Sequence, residues 1–292
     1  MLIRNRQLSS TQLKDLNKLA EYCVTEDKGL PTIYYDILVK KRETEGNVLF
    51  YDNNQLIGFL ALYFFYEHAC EASLLIMPTH RNQGLASKLF IQVISLLKQK
   101  KMAEVILSFP AAAAHEWLED LGFSYHHSEF YMVRQSSQPS LITRPRLAIR
   151  QATFADLNDL CKIDASCFAI HQDMAERFAY LLNQDQTTIL LALKNKIPIG
   201  KAHIQWKPDI AHFSDISILP PQQKKGLGSE LLAHCINEAL NRKRITLDLS
   251  VEANNQRALK LYQKHGFEVR NKQDYWSISL EGLQALLPRL RY

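Results

Sequence analysis

Cysteine is scarce in this 292-residue chain: there are five, at Cys23, Cys70, Cys161, Cys167 and Cys235. The number is odd and no pair has CxxC spacing, so neither a disulfide framework nor a zinc site is expected. The ten histidines show no HExxH or comparable ligand spacing, and the adjacent His126 and His127 are expected to point in different directions on either a strand or a helix. No metal is expected. Long apolar runs are also missing, since the longest, IGFLALYFFY, is too short to cross a bilayer as a helix. The N-terminus has no basic stretch followed by an apolar one. The expectation is a soluble cytoplasmic protein with no membrane partner. Charge of one sign is never concentrated: 35 Lys and Arg stand against 30 Asp and Glu, a net +5. That mild excess suits a small polyanionic ligand and requires no nucleic acid.

What the chain does contain is one loop pattern written twice. MPTHRNQGLASKLF carries Arg81, Gly84, Leu85 and Ala86, and LPPQQKKGLGSELL carries Gln223, Gly226, Leu227 and Gly228. Each copy lies between an apolar strand-like run and an apolar stripe of helical period. The stripe Leu85, Leu89, Phe90, Val93, Ile94, Leu97 is matched at a constant offset by Leu227, Leu231, Leu232, Cys235, Ile236, Ala239, the spacing of one helix face packed on a sheet. The loop therefore opens a helix in both cases. The first amides of a helix lack internal partners and the macrodipole favours negative charge there, so a diphosphate fits without any charged side chain. A Cβ at Gly226 or Gly228 is expected to block a ligand or force a disfavoured backbone angle. Lys224 and Lys225 lie inside the second loop, placed either to meet phosphates or to stand in solvent.

Two further anchors repeat in the same order. LIRNRQLSSTQLKDL at the start is matched by AIRQATFADLNDL from Ala148, and LEDLGF ending at Phe123 by YQKHGF ending at Phe267. Together these indicate a duplicated domain. The polar, proline-bearing stretch from Gln135 to Leu147 reads as the linker, which gives domains at 1–136 and 146–292. In the second half, runs at Ala148–Arg150, Thr188–Leu193, Gly200–Trp206 and His212–Leu219 read as strands. Helices are expected at Phe154–Phe168 and Met174–Leu182, followed by the loop helix from Gly226 to Asn241. A strand Ile245–Val251, a helix Asn255–His265 and a strand pair near Phe267–Arg270 and Tyr275–Leu280 complete it. Strand, helix, strand predicts a parallel crossover, so the run ending at Leu219 should lie beside the one starting at Ile245. The first half repeats the plan, with strands at Asn47–Tyr51, Leu56–Phe65, Ala72–Met77 and Glu104–Ser108. The fold class is α/β, a mixed sheet flanked by helices in each half, and a short terminal helix is expected after Leu283.

These residues resemble the GNAT acetyltransferase superfamily over nearly the whole chain. The Gln/Arg-x-x-Gly-x-Gly/Ala loop is met by Gln223, Gly226 and Gly228 and, less fully, by Arg81, Gly84 and Ala86. NNQRALKLYQKHGF is similar to the family's Asn-x-x-Ala-x-x-x-Tyr-x-x-x-Gly-Phe segment through Asn255, Ala258, Tyr262, Gly266 and Phe267. The resemblance implies tandem acyl-CoA N-acyltransferase domains that use acetyl-CoA as acyl donor. It places the pantetheine arm along Ile216, Ser217 and Ile218 and the pyrophosphate on Gln223, Lys224, Lys225, Gly226, Leu227, Gly228 and Ser229. Asn255 would bond the pantetheine, cap its helix, or do both. An amine attacking the thioester generates an oxyanion and then a thiolate. An N–H near Ile218 would face the first, and Tyr262 would protonate the second as general acid, its reference pKa near 10 keeping it protonated at neutral pH. Where protein-alanine acetyltransferases carry a glutamate about twelve residues before the tyrosine, this chain has Ser250. Asp248 and Glu252 share that alternating face and Asp215 lies on the neighbouring strand, so these three are the candidate bases.

By the same alignment the first half has Leu118 in place of Tyr262 and Ala111 in place of Asn255. Its loop, through Arg81, Gly84, Leu85 and Ala86, is a second candidate cofactor site without the acid. The expected activity is transfer of an acetyl group by direct attack of a primary amine, on a small molecule, peptide or protein, catalysed by the second half. The alternative is a non-catalytic acyl-CoA-binding or regulatory module. Acceptor contacts are expected from the segment Phe168–Tyr180, which carries His171, Asp173, Glu176 and Arg177, and from the turn near Lys272.

Overall fold

The computed structural model describes residues 1–112, 116–168 and 174–288. Within them the strands are β1 (Leu2–Asn5), β2 (Asn47–Asp52), β3 (Gln55–Tyr63), β4 (Ala69–Ile76), β5 (Glu104–Pro110), β6 (Ser124–Gln135), β7 (Ala148–Gln151), β8 (Thr187–Lys194), β9 (Ile197–Trp206), β10 (Ile210–Ile218), β11 (Thr246–Glu252) and β12 (Glu268–Ser279). The fold is α/β, with mixed sheets flanked by helices.

Two compact units emerge: Met1–Glu129 together with Asn271–Tyr292, and Phe130–Arg270. They do not follow the contiguous halves 1–136 and 146–292. The expected strand pair near Phe267–Arg270 and Tyr275–Leu280 is one continuous strand, β12, with no turn between its parts. Its second portion enters the first unit and runs antiparallel to β5, from Gln273↔Pro110 to Ser279↔Glu104. β6 does the reverse, and its second portion lies beside β11 in the second unit. Each unit is thus completed by a strand from the other repeat. Trp276 and Ile278 are the apolar side chains that β12 buries in the first unit's core, with Leu107, Leu118 and Phe123.

In the first unit the order is β1-β2-β3-β4-β5-β12, antiparallel except for β4 and β5. The stripe from Leu85 to Leu97 forms two helices, Leu85–Ile91 and Ile94–Gln99, because Gln92 and Val93 bond back three residues instead of four. The terminal helix runs Leu280–Leu286, capped by Ser279. His126 and His127 do not diverge as expected: their Nδ1 atoms lie 2.7 Å apart. His127 lies flat on Tyr275 at 4.3 Å, and the exposed His126 side chain folds back along the strand to meet it edge-on.

The second unit has the order β7-β8-β9-β10-β11-β6. β7 to β10 form the expected meander, and β10 and β11 are the expected parallel pair. Alternation along β8 assigns two cores. Leu190 and Ala192 face the helix Leu227–Asn241, whose Leu227, Leu231, Leu232, Cys235, Ile236 and Ala239 are buried as the stripe predicts. Ile189 and Leu191 face Leu160, Ile163 and Phe178 of the helices Leu157–Phe168 and Ala175–Leu182. At roughly 1.5–3 kcal/mol for each fully buried leucine-sized side chain, these two layers hold the sheet rigid beneath the loop that follows β10.

Candidate functional site

β10 and β11 pair through three residues only, Ile210↔Thr246, Ala211↔Leu247 and His212↔Asp248. Beyond that point β10 stays with β9 and leaves β11. The cause is a bulge between Ser214 and Ser217, at which Asp215 adopts φ 50°. After it, Ser217↔Lys201 and Ile218↔Gly200 resume the antiparallel ladder. Gly200 is what lets β9 approach so closely, because a Cβ there would stand 2.5 Å from the Ser217 carbonyl oxygen and from Ile218 Cδ1. The result is a wedge bounded on one side by Ile216, Ser217 and Ile218, where the backbone edge facing β11 has no ladder partner.

At the mouth of the wedge the chain makes a short 3-10 turn, Pro220–Gln222, then passes through left-handed Lys224 (φ 60°) and Gly226 (φ 77°) before the helix begins at Leu227. The first intrahelical bond of that turn joins Glu230 N to Gly226 O at 3.2 Å, and Gly226 supplies no side-chain cap. Among the described residues the amides of Leu227, Gly228 and Ser229 have no hydrogen-bond partner, as the first turn of a helix leaves them. Gln223 staples the loop, its Nε2 donating to Ile218 O at 2.8 Å and its Oε1 accepting from Arg257 at 3.0 Å. Lys225 turns back to donate to Pro221 O. Gly226 has the positive φ expected of it. Gly228 does not, so its reason is space: a Cβ there would meet only Leu261 Cδ2 at 3.9 Å and Ile218 Cγ1 at 4.0 Å, carbon walls of a gap between β10 and the helix Gln256–Lys264.

Asn255 caps that helix, Oδ1 accepting from Ala258 N at 3.0 Å. Two turns on, Tyr262 is buried in the same core cluster as Ile218, Leu227, Leu249 and Val251. Its hydroxyl has no hydrogen-bond partner among the described residues. Burial, reinforced by the Cys235 thiol, pushes the phenol up to about 12. A phenol so placed stays protonated at neutral pH.

The three carboxylates have different surroundings. Asp248 is buried, accepting from Tyr131 Oη and His212 Nδ1, both at 2.7 Å. Burial works to raise its carboxyl, but those two donors hold it below the usual carboxylate range. Asp215 meets His203 Nδ1 at 3.0 Å and Arg177 at 3.9 Å. Despite burial, the His203 bond and the nearby positive charges keep it well below that range. Glu252 is exposed at the end of β11, as is Ser250. His203 in turn faces the buried Lys201, which is 2.7 Å from Asp164. Glu176 and Arg177 lie on the helix Ala175–Leu182; His171 and Asp173 fall outside the described residues. Lys272 pairs with Asp274 at 2.9 Å.

The stretch Gln135–Leu147, expected to be a linker, is bound to the helix Leu227–Asn241 and the loop before it. Glu230 accepts from the amides of Arg146 and Leu147 at 2.6 and 2.8 Å, Arg146 donates to Lys225 O at 2.6 Å, and Asn237 bonds Ser140 in both directions. His265 bridges Ser140 and Ser229 at 2.7 Å each. Between this segment and the loop lies a cavity of about 810 Å³ whose wall includes Arg144, Arg146, Lys264 and Gly226, a basic surround for a polyanion.

The first unit reproduces the loop backbone, with Asn82 at φ 59° and Gly84 at φ 73°, but with different side-chain surroundings. Arg81 is held by a two-pronged bridge to Asp27 at 2.6 and 2.7 Å, Leu85 is buried, Ala86 stands where the second loop has Gly228, and Leu118 is fully buried.

The Acetyltransferase (GNAT) family profile matches residues 11–123 and again 156–267. The "[Ribosomal protein bS18]-alanine N-acetyltransferase" of Salmonella typhimurium is 39% identical over 69 residues, 23% of this chain and 47% of that protein, and the Escherichia coli K12 protein of the same name matches to the same extent. The chain spans about half the length of these curated relatives. Among solved structures, a GCN5-related N-acetyltransferase from Sphaerobacter thermophilus superposes with TM-score 0.77 at 15% identity, covering 96% of both chains. A tandem GNAT protein from the clavulanic acid biosynthesis pathway does so with TM-score 0.72 at 10% identity, over 96% of this chain and 98% of that one. Two profile matches, a wedge floored by a bulged strand and a glycine loop opening the following helix agree: the chain belongs to the GNAT acetyltransferase family and carries its fold twice.

Proposed function

We propose that the second unit transfers an acetyl group from acetyl-CoA to a primary amine by direct attack, in the cytoplasm. The observation that carries this reading is the combination, on one wedge, of three helix amides with no partner, a strand edge at Ile216–Ile218 with no ladder neighbour and a buried phenol with no hydrogen bond, all among the described residues. The amides of Leu227, Gly228 and Ser229 take the donor's pyrophosphate, with Gln223 holding the loop and Lys224 and Lys225 adding charge. Four to five residues of strand at about 3.3 Å each reach back from the loop on the order of 15 Å. That is the length of an extended pantetheine arm, so the thioester comes to rest where β10 and β11 part. An N–H at the bulged edge meets the oxyanion, and Tyr262 meets the sulfur. Asn255, already capping its helix through Oδ1, retains its amide nitrogen for the arm.

The first unit serves as a structural partner in this reading. Its Arg81 is neutralised by Asp27, Ala86 occupies the space Gly228 leaves open, and Leu118 has no proton to give. Ser250, where alanine acetyltransferases carry glutamate, supports a second reading, a sensor that binds acyl-CoA without turnover. Thiol release from acetyl-CoA, measured against amines and peptides including one with an N-terminal alanine, separates the two. Release with any acceptor, lost in Tyr262→Phe, supports the enzyme. Tight CoA binding with no release above background from any of them supports the sensor.

A further inference from the structure

We propose that His212 is the general base of the second unit and that Asp248 and Tyr131 position it, an inference that rests on the acetyltransferase reading above. His212 and Asp248 are the last registered pair before β10 and β11 separate, which places them at the apex of the wedge, beside the thioester. Alternation fixes the side they face. Ala211 and Phe213 on β10, and Leu247, Leu249 and Val251 on β11, are buried in the core with Tyr262 and the phosphate-loop helix. The intervening His212 and Asp248 therefore face the opposite side of the sheet, from which an amine reaches the carbonyl while the donor lies across the wedge.

The geometry divides the labour between the two side chains. Asp248 is 3% exposed and both its oxygens are engaged, Oδ1 by His212 Nδ1 and Oδ2 by Tyr131 Oη, each at 2.7 Å. Each oxygen is already committed to one of these donors. His212 keeps 27% of its side chain exposed, and with Nδ1 donating to Asp248 its Nε2 carries the available lone pair. A base oriented through its far nitrogen by a carboxylate, itself fixed by a third group, is the arrangement that nucleophile activation uses on unrelated folds. The other imidazole–carboxylate pair nearby does not qualify. His203 is 5% exposed, and its Nε2 looks at the Lys201 ammonium 3.4 Å away, so it has no path to an amine.

The proton count closes. Over the reaction the attacking ammonium nitrogen gives up two protons and the sulfur gains one. His212 Nε2 takes the first, freeing the lone pair that forms the C–N bond. The C–S bond then breaks, Tyr262 donates to the departing sulfur, and the nitrogen's second proton passes to water, from which Tyr262 recovers its own. His212 returns its proton to solvent, so the turnover yields amide, free thiol and one proton.

The test compares wild type, His212→Asn, His212→Gln and Asp248→Asn. It uses thiol release from acetyl-CoA with the amine and peptide panel across pH 5.5–9, and CoA titration by calorimetry. The charged and polar groups around His212 are Asp248 on β11, Tyr131 on β6, Gln205 opposite it on β9 and Lys207 in the β9–β10 turn, none of which the first two variants alter. We expect both His212 variants to bind CoA within twofold of wild type and to lose 10²–10³-fold in kcat, a typical general-base contribution. The acid-side fall of kcat/KM should disappear in both, and added imidazole should restore part of the rate. Asp248→Asn should lower kcat about tenfold or more, because the imidazole is no longer held by its far nitrogen. Variants that retain the wild-type rate and limb while only melting earlier would overturn the assignment and leave a structural cross-strand pair. No thiol release by wild type with any acceptor would instead overturn the acetyltransferase reading, and the base with it.

Discussion

Gly228→Ala should move stability and donor affinity in opposite directions. The residue sits in the first turn of the helix Leu227–Asn241 with ordinary helical backbone, so alanine brings no torsional strain. The added methyl would touch only Leu261 Cδ2 at 3.9 Å and Ile218 Cγ1 at 4.0 Å, both ordinary van der Waals separations. Glycine in a helix interior costs about 0.8–1.0 kcal/mol relative to alanine. At the second helical position roughly half of that is recovered, so the ligand-free protein should gain about 0.5 kcal/mol. The same methyl would stand in the gap proposed for the donor, next to an amide proposed to bond its pyrophosphate. Forcing one extra methyl into such a contact costs about 1–3 kcal/mol, equivalent to a roughly 5- to 150-fold loss of CoA affinity. Urea denaturation gives the first quantity and calorimetric titration with CoA the second. Affinity unchanged within twofold, with the stability gain present, would show that the gap is not where the donor lies. A loss of stability would show that the gap is not open.

Gly200→Ala should do the opposite, since its Cβ meets a backbone oxygen at 2.5 Å. Separating β9 from the bulge should cost about 2–4 kcal/mol from overpacking and weakened ladder bonds, seen as a lower denaturation midpoint with reduced CoA affinity, and a neutral result would refute the close approach. Tyr262→Phe should leave the melting temperature within a degree or two, because the hydroxyl has no partner to lose, while thiol release falls about 10²-fold; retained turnover would remove Tyr262 from the chemistry. Asp156 is buried and forked to Arg150 at 2.6 and 2.7 Å, and accepts from Thr153 N. The Arg150 guanidinium holds its carboxyl well below the usual carboxylate range. A depressed folded pKa gives stability that is complete above the unfolded value near 3.9 and declines as pH falls below it. Asp156→Asn should therefore cost about 2 kcal/mol near neutrality, and the gap from wild type should narrow in acid denaturation series below about pH 4; a constant gap would refute the ionised pair.

Local pattern made the scaffold of the second unit readable. The stripe from Leu227 to Ala239, the crossover that sets β10 beside β11 and the cap at Asn255 all follow from residues close together in sequence. The strand exchange was not readable for the converse reason. The alternation of Tyr275, Trp276 and Ile278 marks a strand, but whether that strand joins the sheet of its own repeat or of the other is decided by partners far away in the chain. Pairing of His212 with Asp248 depends on the register of two strands separated by a helix, which periodicity does not fix. Gly200 did leave a signal, since glycine inside an apolar strand run marks a close backbone approach. Arg146 and Leu147 left none, because their amides, rather than their side chains, bind Glu230.

The passage of β6 and β12 from one unit into the other makes the duplication hard to undo. A gene fragment ending between the repeats would encode a first module whose β5 lacks its neighbour. It would display unpaired peptide groups and a gap where Trp276 and Ile278 belong, inviting aggregation or pairing with another copy. During synthesis β5 must likewise wait for Ser279 to leave the ribosome before it gains its neighbour, so this edge is among the last parts of the first module to reach its final packing.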